Sequence, residues 1–351
     1  MSYTIGLVGK PSVGKSTFFN AAKMNDVHEG AYPFTTIDPS MGEAYVRVDC
    51  AAPEFGHSCT PNHGYCTDGI RFVPTKLVDV AGLVPGAHEG KGLGNQFLTD
   101  LNEADVLIHV VDFTGETDLE GEPTDDHDPR DDIDFLETEL DMWYLDILKK
   151  GIERHRSGYD GTERDIEPDL AEQMSAFGIS EEELKQVCLG LGLELDPDTW
   201  AATDRETLAR EIRIRTKPMI IAANKADTEA AQQNYAEITS DPAYGHLTIV
   251  PVSAHAEKAL KNGHEADVLE YRPGDDDFEV TGELPEAKRN GLERIGDFLD
   301  EFGGTGVQRA IETALFEELG AVAVFPGAQK PQDDGTFLQD CFVFPGGSTT
   351  E

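Results

Sequence analysis

Positive charge is what this sequence has least of. Its 351 residues hold 28 Lys and Arg against 68 Asp and Glu, a formal net charge of −40. That imbalance repels phosphate, which excludes generic binding to DNA, RNA or an anionic membrane, and no basic run provides a local exception. Long apolar runs are missing as well: none approaches the ~20 residues that a membrane-spanning helix needs. Met1–Gly9 has neither a basic n-region nor a cleavage site, so no targeting segment is expected. Cysteine is scarce. The five present (Cys50, Cys59, Cys66, Cys188 and Cys341) are odd in number and clustered only in the first three, unlike a secreted disulfide scaffold. These absences together predict a soluble, cytoplasmic chain.

What is present is enough apolar material for a core: 39% of residues are hydrophobic and 8% aromatic, which excludes a disordered or fibrous chain. The acidity is spread along the chain, as in a protein built for molar salt. There the Debye length falls to about 3 Å and self-repulsion is screened. We therefore expect a halophilic, salt-loaded cytoplasm. The length fits two or three domains at roughly 150 residues each.

Short apolar runs recur at Ile5–Val8, Lys76–Val80, Val106–Val111, Met219–Ala223 and Thr248–Val252. Apolar throughout, they predict strands buried on both faces of a doubly wound, mostly parallel α/β sheet. Helical patterns at Ser16–Lys23 and Gly94–Asn102 separate some of them. The alternation breaks between about Gly115 and Thr216. Glu116–Asp132 is acidic and rich in Pro and Gly, hence a loop. Helix-period stretches follow at Phe135–His155, Glu181–Leu191 and Arg205–Arg215, a helical insertion between two strands. Within it, Trp143, Tyr144 and Leu145 either pack a neighbouring helix or form a partner-binding face.

Downstream, Asp275–Glu279 reads as a loop, Leu284–Asp300 as a helix and Val307–Leu319 as an amphipathic helix. Short strands are expected at Val322–Phe325 and Phe342–Phe344. The division this predicts is an α/β domain of residues 1–115 and 216–270, a helical insertion at 116–215, a helical connector at 271–320 and a small β module at 321–351. Ser348-Thr349-Thr350-Glu351 has the S-x-x-E pattern of a capping box without a following helix, so the last unit is expected to be incomplete.

Gly9-Lys10-Pro11-Ser12-Val13-Gly14-Lys15-Ser16 matches G-x-x-x-x-G-K-[ST], the phosphate-binding P-loop. Its place between an apolar run and a helical one is the right context. Glycines let backbone N–H groups wrap phosphates, and the helix N-terminus adds positive potential. Gly9, Pro11, Ser12, Val13, Gly14, Lys15, Ser16 and Thr17 are the candidate phosphate contacts; Lys15 would reach the β- and γ-phosphates and Ser16 would ligate Mg2+.

Asp79-Val80-Ala81-Gly82 ends the second apolar run, where Asp79 would support Mg2+ and the Gly82 N–H would face the γ-phosphate. Thr35 and Thr36 lie in a loop where a threonine can bind Mg2+ and γ-phosphate only while that phosphate is present, which makes a switch. Asn224-Lys225-Ala226-Asp227 follows another strand, and the Asp227 carboxylate can accept the N1–H and N2–H2 donors of guanine. Buried polar complementarity of that kind discriminates by ~10⁴ or more. Val252-Ser253-Ala254 would brace the base through backbone and hydroxyl contacts.

Together Gly9–Ser16, Tyr32–Pro39, Asp79–Phe97, Asn224–Asp227 and Val252–Ala254 resemble the Obg-like P-loop GTPases, and within them the YchF-type branch. The segments Val322–Pro331 and Asp340–Glu351 resemble the first half of a TGS domain, a ubiquitin-like β-grasp module. The resemblance implies a slow GTPase cycling between GTP and GDP with Mg2+, associated with translation and a ribosome or RNA partner. It carries nucleotide-site roles onto Gly9, Gly14, Lys15, Ser16, Thr36, Asp79, Gly82, Asn224, Lys225, Asp227, Ser253 and Ala254.

Three departures qualify it. The best-known YchF-type proteins carry another base-reading tetrapeptide and prefer ATP, so N-K-x-D here implies GTP, as in archaeal and fungal relatives, with an ATPase as the alternative. Leu83 stands where Ras-like enzymes place a water-orienting glutamine; His88 is a candidate replacement, against the plainer reading of a surface histidine. Ser12 replaces an asparagine that coordinates K+ in some relatives, so K+ activation does not follow. A further reading is a ribosome- or RNA-binding module whose nucleotide is a timer. Finally, Cys50, Cys59 and Cys66, with His57 and His63 between them, have spacings C-x8-C and C-x6-C. These lack the tight knuckle of structural zinc sites, which favours free thiols.

Overall fold

The computed structural model describes residues 3–23, 41–56, 59–80, 101–157, 166–326 and 340–346. Its centre is a sheet of β1 (Thr4–Val8), β2 (Met41–Asp49), β3 (Tyr65–Thr67), β4 (Ile70–Asp79), β5 (Val106–Asp112), β6 (Met219–Asn224) and β7 (Thr248–Val252). The strand order is β2-β4-β1-β5-β6-β7, with β3 paired to β4. All pairs from β4 through β7 are parallel, while β2 and β3 run antiparallel to β4. Every residue of β5 and β6 is buried, which explains why those strands are apolar except at His109, Asp112 and Asn224. The order reverses direction at β1, and a doubly wound sheet binds ligands outside the carboxyl ends of its strands at such a point.

Helix α1 (Lys15–Ala22) follows β1. Between β5 and β6 come α2 (Pro129–Ser157), α3 (Glu167–Gln173), α4 (Glu181–Gly190) and α5 (Ala202–Thr216). α2 starts earlier than the acidic stretch suggested, because Pro129 suits the first helical position and Asp128 Oδ1 accepts the Arg130 N–H at 2.9 Å. Asp131 and Asp132 at its start and Arg154, His155 and Arg156 at its end complement the helix dipole. α4 carries a capping box: the Glu183 N–H donates to Ser180 Oγ at 3.2 Å, and the Ser180 N–H donates to Glu183 Oε2 at 2.8 Å.

Trp143, Tyr144 and Leu145 are buried in this helical group, Tyr144 stacking on Phe177 with ring centroids 4.3 Å apart. They pack helices and offer no partner-binding face. The buried Arg213 donates to Glu137 Oε1 at 3.0 Å and Asp141 Oδ1 at 2.9 Å, fixing α5 against α2.

On the other face, α1 packs against α7 (Ala254–Glu265) and α9 (Val307–Glu312). By contrast, α6 (Glu229–Ser240) buries Ala231 and Ile238 in the same core as the insertion helices, and α8 (Glu286–Phe302) shares a small core with Leu260 of α7 through Phe298 and Leu299. The helix expected over Val307–Leu319 is α-helical only to Glu312, then widens into a π-helical turn at Thr313–Glu318. The expected loop at Asp275–Glu279 runs into β9 (Glu279–Val280), which pairs with β8 (Leu269–Glu270). β10 (Val322–Val324) and β11 (Phe342–Phe344) form an antiparallel pair, and buried Ala321, Cys341 and Val343 join the core around Val46 and Leu77. Ser348–Glu351 lie outside the described residues.

Candidate functional site

The loops that leave the carboxyl ends of β1, β4, β6 and β7 meet at one edge of the sheet. After β1 the chain turns through Gly9–Gly14 into α1. Gly14 holds φ +91°, and a Cβ there would run into Asn224 Nδ2, so both conformation and close approach require glycine. Ser12 also takes a positive φ, 67°. Gly14 is the residue before α1 and makes no side-chain cap, which leaves the first-turn N–H groups for an anion.

The two lysines of the loop face different ways. Lys15 Nζ contacts Asp79 Oδ1 and donates to the Val80 carbonyl at 2.8 Å. Lys10 is buried, donates to the Thr117 carbonyl at 2.6 Å and lies 2.8 Å from Asp132 Oδ2. His127 Nε2 stands 3.0 Å from the other Asp132 oxygen. Burial lifts the Asp132 carboxyl above the ordinary carboxylate range although Lys10 and His127 pull it down. The acidic loop leading into α2 therefore packs onto the P-loop. Gly121, at φ +82°, comes so close that a Cβ would sit 2.8 Å from the Pro11 carbonyl oxygen.

Asn224 joins three segments. Its Nδ2 donates to the Val13 carbonyl at 2.8 Å and its Oδ1 accepts the Ala254 N–H at 3.2 Å. It is buried, so it clamps the P-loop to the loop after β7. Lys225, at φ +63°, donates to Asp112 Oδ2 at 2.7 Å. Burial alone would raise the Asp112 carboxyl, but the Lys225 and Thr114 hydrogen bonds outweigh it and its pKa falls. Asp227 is exposed and lines a cavity of about 560 Å3 shared with Thr228, His255 and Lys288. Ser253 differs from expectation. Fully buried, it caps α7 by accepting the Ala256 N–H at 3.1 Å, so its hydroxyl aims the helix and is not presented to a base.

Gly9, Pro11, Ser12, Val13, Gly14, Lys15, Ser16, Thr17, Asp79, Asn224, Lys225, Asp227, Ser253 and Ala254 thus lie at the ends of strands on one side of the sheet. Thr36, Gly82, Leu83 and His88 lie outside the described residues. Lys10, Asp112, Asp132 and His109 were not singled out in the sequence. His109, fully buried on β5 beside Lys10, is held neutral by desolvation first and by the Lys10 charge second, its pKa pushed down to about 3. Its signal was there to read: a lone histidine inside an otherwise apolar strand.

A parallel-centred α/β sheet with this loop at its switch point defines the P-loop GTPase fold. Residues 4–144 match the family described as 50S ribosome-binding GTPase, and residues 222–328 match the Obg-like GTPase YGR210-like, G4 motif-containing domain. The chain is 41% identical to the uncharacterized GTP-binding protein MJ1332 of Methanocaldococcus jannaschii over 98% of its own length and 87% of that protein's. A solved GTP-binding protein from Pyrococcus horikoshii OT3 superposes with a TM-score of 0.77 at 35% identity, covering 99% of this chain and 87% of the other. The ribosome-binding ATPase YchF of Haemophilus influenzae is 33% identical over 59% of this chain and 58% of that one. The chain belongs to the Obg-like, YchF-type family of GTP-binding proteins. Among the described residues, no helix is long and apolar enough to cross a membrane.

Proposed function

We propose that this protein is an Mg2+-dependent switch that binds GTP, hydrolyses it slowly to GDP and phosphate, and works in contact with the ribosome. The observation that carries the nucleotide reading is the Asn224 clamp. One buried amide bonds both the P-loop and the loop after β7, so the phosphate cradle and the base-reading segment are built as one unit. Lys15 neutralises β- and γ-phosphate charge in place of its contact with Asp79. The P-loop amides hold the same phosphates, and catalysis rests on positioning and electrostatics with little covalent chemistry.

Ser16 is exposed at the start of α1 and Asp79 ends β4; hard oxygen donors of this kind fit Mg2+, with Thr36 as the expected third residue. When bound, Mg2+ supplies charge neutralisation between the phosphates. The loops at Thr36 and at Gly82–Gly94 are the proposed switch segments. Leucine at position 83 cannot orient water, which supports slow intrinsic turnover, and His88 is the proposed substitute. Asp227 is the proposed guanine reader, carried on the Asn224–Asp227 turn that the Ala226 N–H ties to the Val252 carbonyl at 3.0 Å. Residues 1–115 with 216–270 form the proposed G domain, 116–215 its insertion, 271–320 a connector and 321–351 a TGS-like module.

The ribosome partner is supported by the descriptions of the matched family and of the Haemophilus relative. That relative's name also favours a second reading, ATP as the nucleotide. Pelleting with ribosomes in high salt tests the partner: co-sedimentation with a GTP analogue and release with GDP supports a switch. Sedimentation indifferent to nucleotide favours a binding module, and none at all removes the ribosome from the proposal.

A further inference from the structure

Away from the nucleotide edge, the loops around β3 gather three thiols. Cys50 follows β2, Cys59 lies between β2 and β3, and Cys66 sits in β3. Their sulfur atoms all lie within 4.8 Å of one another. Spacing in the sequence hides this, and pairing creates it. Cys66 lies opposite Arg71 on one side of β4, Val48 lies opposite Arg71 on the other, and the Cys50 N–H donates to the Gly69 carbonyl at 2.8 Å. Two strands that flank β4 thus deliver their cysteines to the same end of it.

Arg71 is fully buried at this point, and its Nη2 donates to Cys59 Sγ at 2.6 Å. Three thiolates around one divalent cation carry a net charge of −1, which this single guanidinium cancels. Tetrahedral Zn–S bonds of about 2.3 Å place sulfur pairs about 3.8 Å apart, so the observed group closes on an ion with side-chain movements of about 1 Å. Sulfur ligands select soft cations over Mg2+ or Ca2+.

We propose that Cys50, Cys59 and Cys66 form a three-thiolate site for a soft divalent cation, Zn2+ foremost, kept electroneutral by Arg71. The site is separate from the nucleotide edge and fastens the β2–β4 connection. It also reaches the end of the described chain. Asn62, between Cys59 and Cys66, donates to both Asp340 carboxylate oxygens at 3.3 and 3.4 Å, the Arg71 guanidinium lies 5.5 Å from the Phe325 ring centroid, and Cys341 is buried beside Asp340. A metal here would hold the β10–β11 pair in place through that loop.

The test is a Co2+ titration of the full, reduced chain with no chelator present. The expected result is one Co2+ per chain with a thiolate-to-cobalt charge-transfer band that Zn2+ displaces. Zn2+ should also protect three of the five thiols from alkylation, read by mass spectrometry. Serine at Cys50, Cys59 or Cys66 should abolish the band, while Cys188→Ser, inside α4, should leave it. A wild-type chain that gives no sulfur–cobalt band, or a band that survives all three substitutions, overturns the proposal. The wild-type spectrum decides even where a serine variant fails to fold. Loss of nucleotide binding with the cobalt band intact would sink the functional reading and leave this one standing.

Discussion

Two lysines five residues apart in the P-loop each reach an aspartate, and the two regions they tie together do different work. Lys10 and Asp132 are each 3% exposed, locked between the P-loop and α2 with Thr117 and His127 completing the group. Lys15 and Asp79 are 13% and 20% exposed, at the open edge of the sheet. Burial costs the first pair desolvation, which its hydrogen bonds to Thr117 and His127 offset, and leaves it no competing partner, so it is part of the scaffold. The second sits where solvent and ligand can compete, so it can exchange one anion for another. The same residue types are a fastening on one side of the loop and the proposed phosphate contact on the other.

The comparison breaks most visibly at the buried pair. Lys10→Met leaves the Asp132 charge without its ammonium, and we expect a loss of about 3–5 kcal/mol in urea unfolding. Lys10→Met combined with Asp132→Leu should recover most of it. A single variant as stable as wild type would deny the scaffold role. At the open edge, Lys15→Ala should lower affinity for a GTP analogue by about 10²-fold, near the upper range for charged hydrogen bonds. Its unfolding free energy should change by about 1 kcal/mol or less, because a partly exposed pair contributes little. A destabilised Lys15→Ala protein would erase the contrast between the two lysines.

A smaller effect sharpens the base-reading side. Asp227→Asn should reduce preference for GTP over ATP by about 10- to 100-fold, measured by paired calorimetric titrations, with little change in stability because the residue is exposed. The smallest effect per unit is in pH. His109 is neutral in the fold with a pKa of about 3 against an ordinary 6.5, so between those values the unfolded chain binds more protons. Its contribution to stability is complete above pH 6.5 and falls as pH drops toward 3, by at most about 1.4 kcal/mol per unit. In His109→Leu that component of the acid slope should vanish. An unchanged slope would place the effect on other groups.

The strands that were legible in sequence are those buried on both faces. β1, β5, β6 and β7 read as largely apolar runs, broken inside β5 by His109 alone, because helices cover both sides of them. β2 escaped notice because it alternates: Glu43, Arg47 and Asp49 interrupt its apolar residues, as on an antiparallel strand at the sheet edge. β4 is ten residues long, and only its last part, packed beside β1, looked like a strand. The P-loop and N-K-x-D were legible because backbone turns and ligand chemistry fix residue types at fixed spacings. The Lys10–Asp132 pair spans over a hundred residues, and no local pattern announces it. Likewise Ser253 was expected at the base from its motif, whereas the need to cap α7 decides where its hydroxyl goes. The three cysteines were read as free thiols from linear spacing, which does not register that strand pairing on both sides of β4 brings their sulfurs within 4.8 Å of one another.

The measurement closest to the centre of this account is a pair of titrations in molar KCl with Mg2+, using non-hydrolysable analogues of GTP and ATP. The account predicts a clear preference for the GTP analogue, lost in Asp227→Asn while binding itself persists. Equal or tighter binding of the ATP analogue would contradict it: the P-loop would stand, Asp227 would not be the base reader, and the activity would be that of an ATPase.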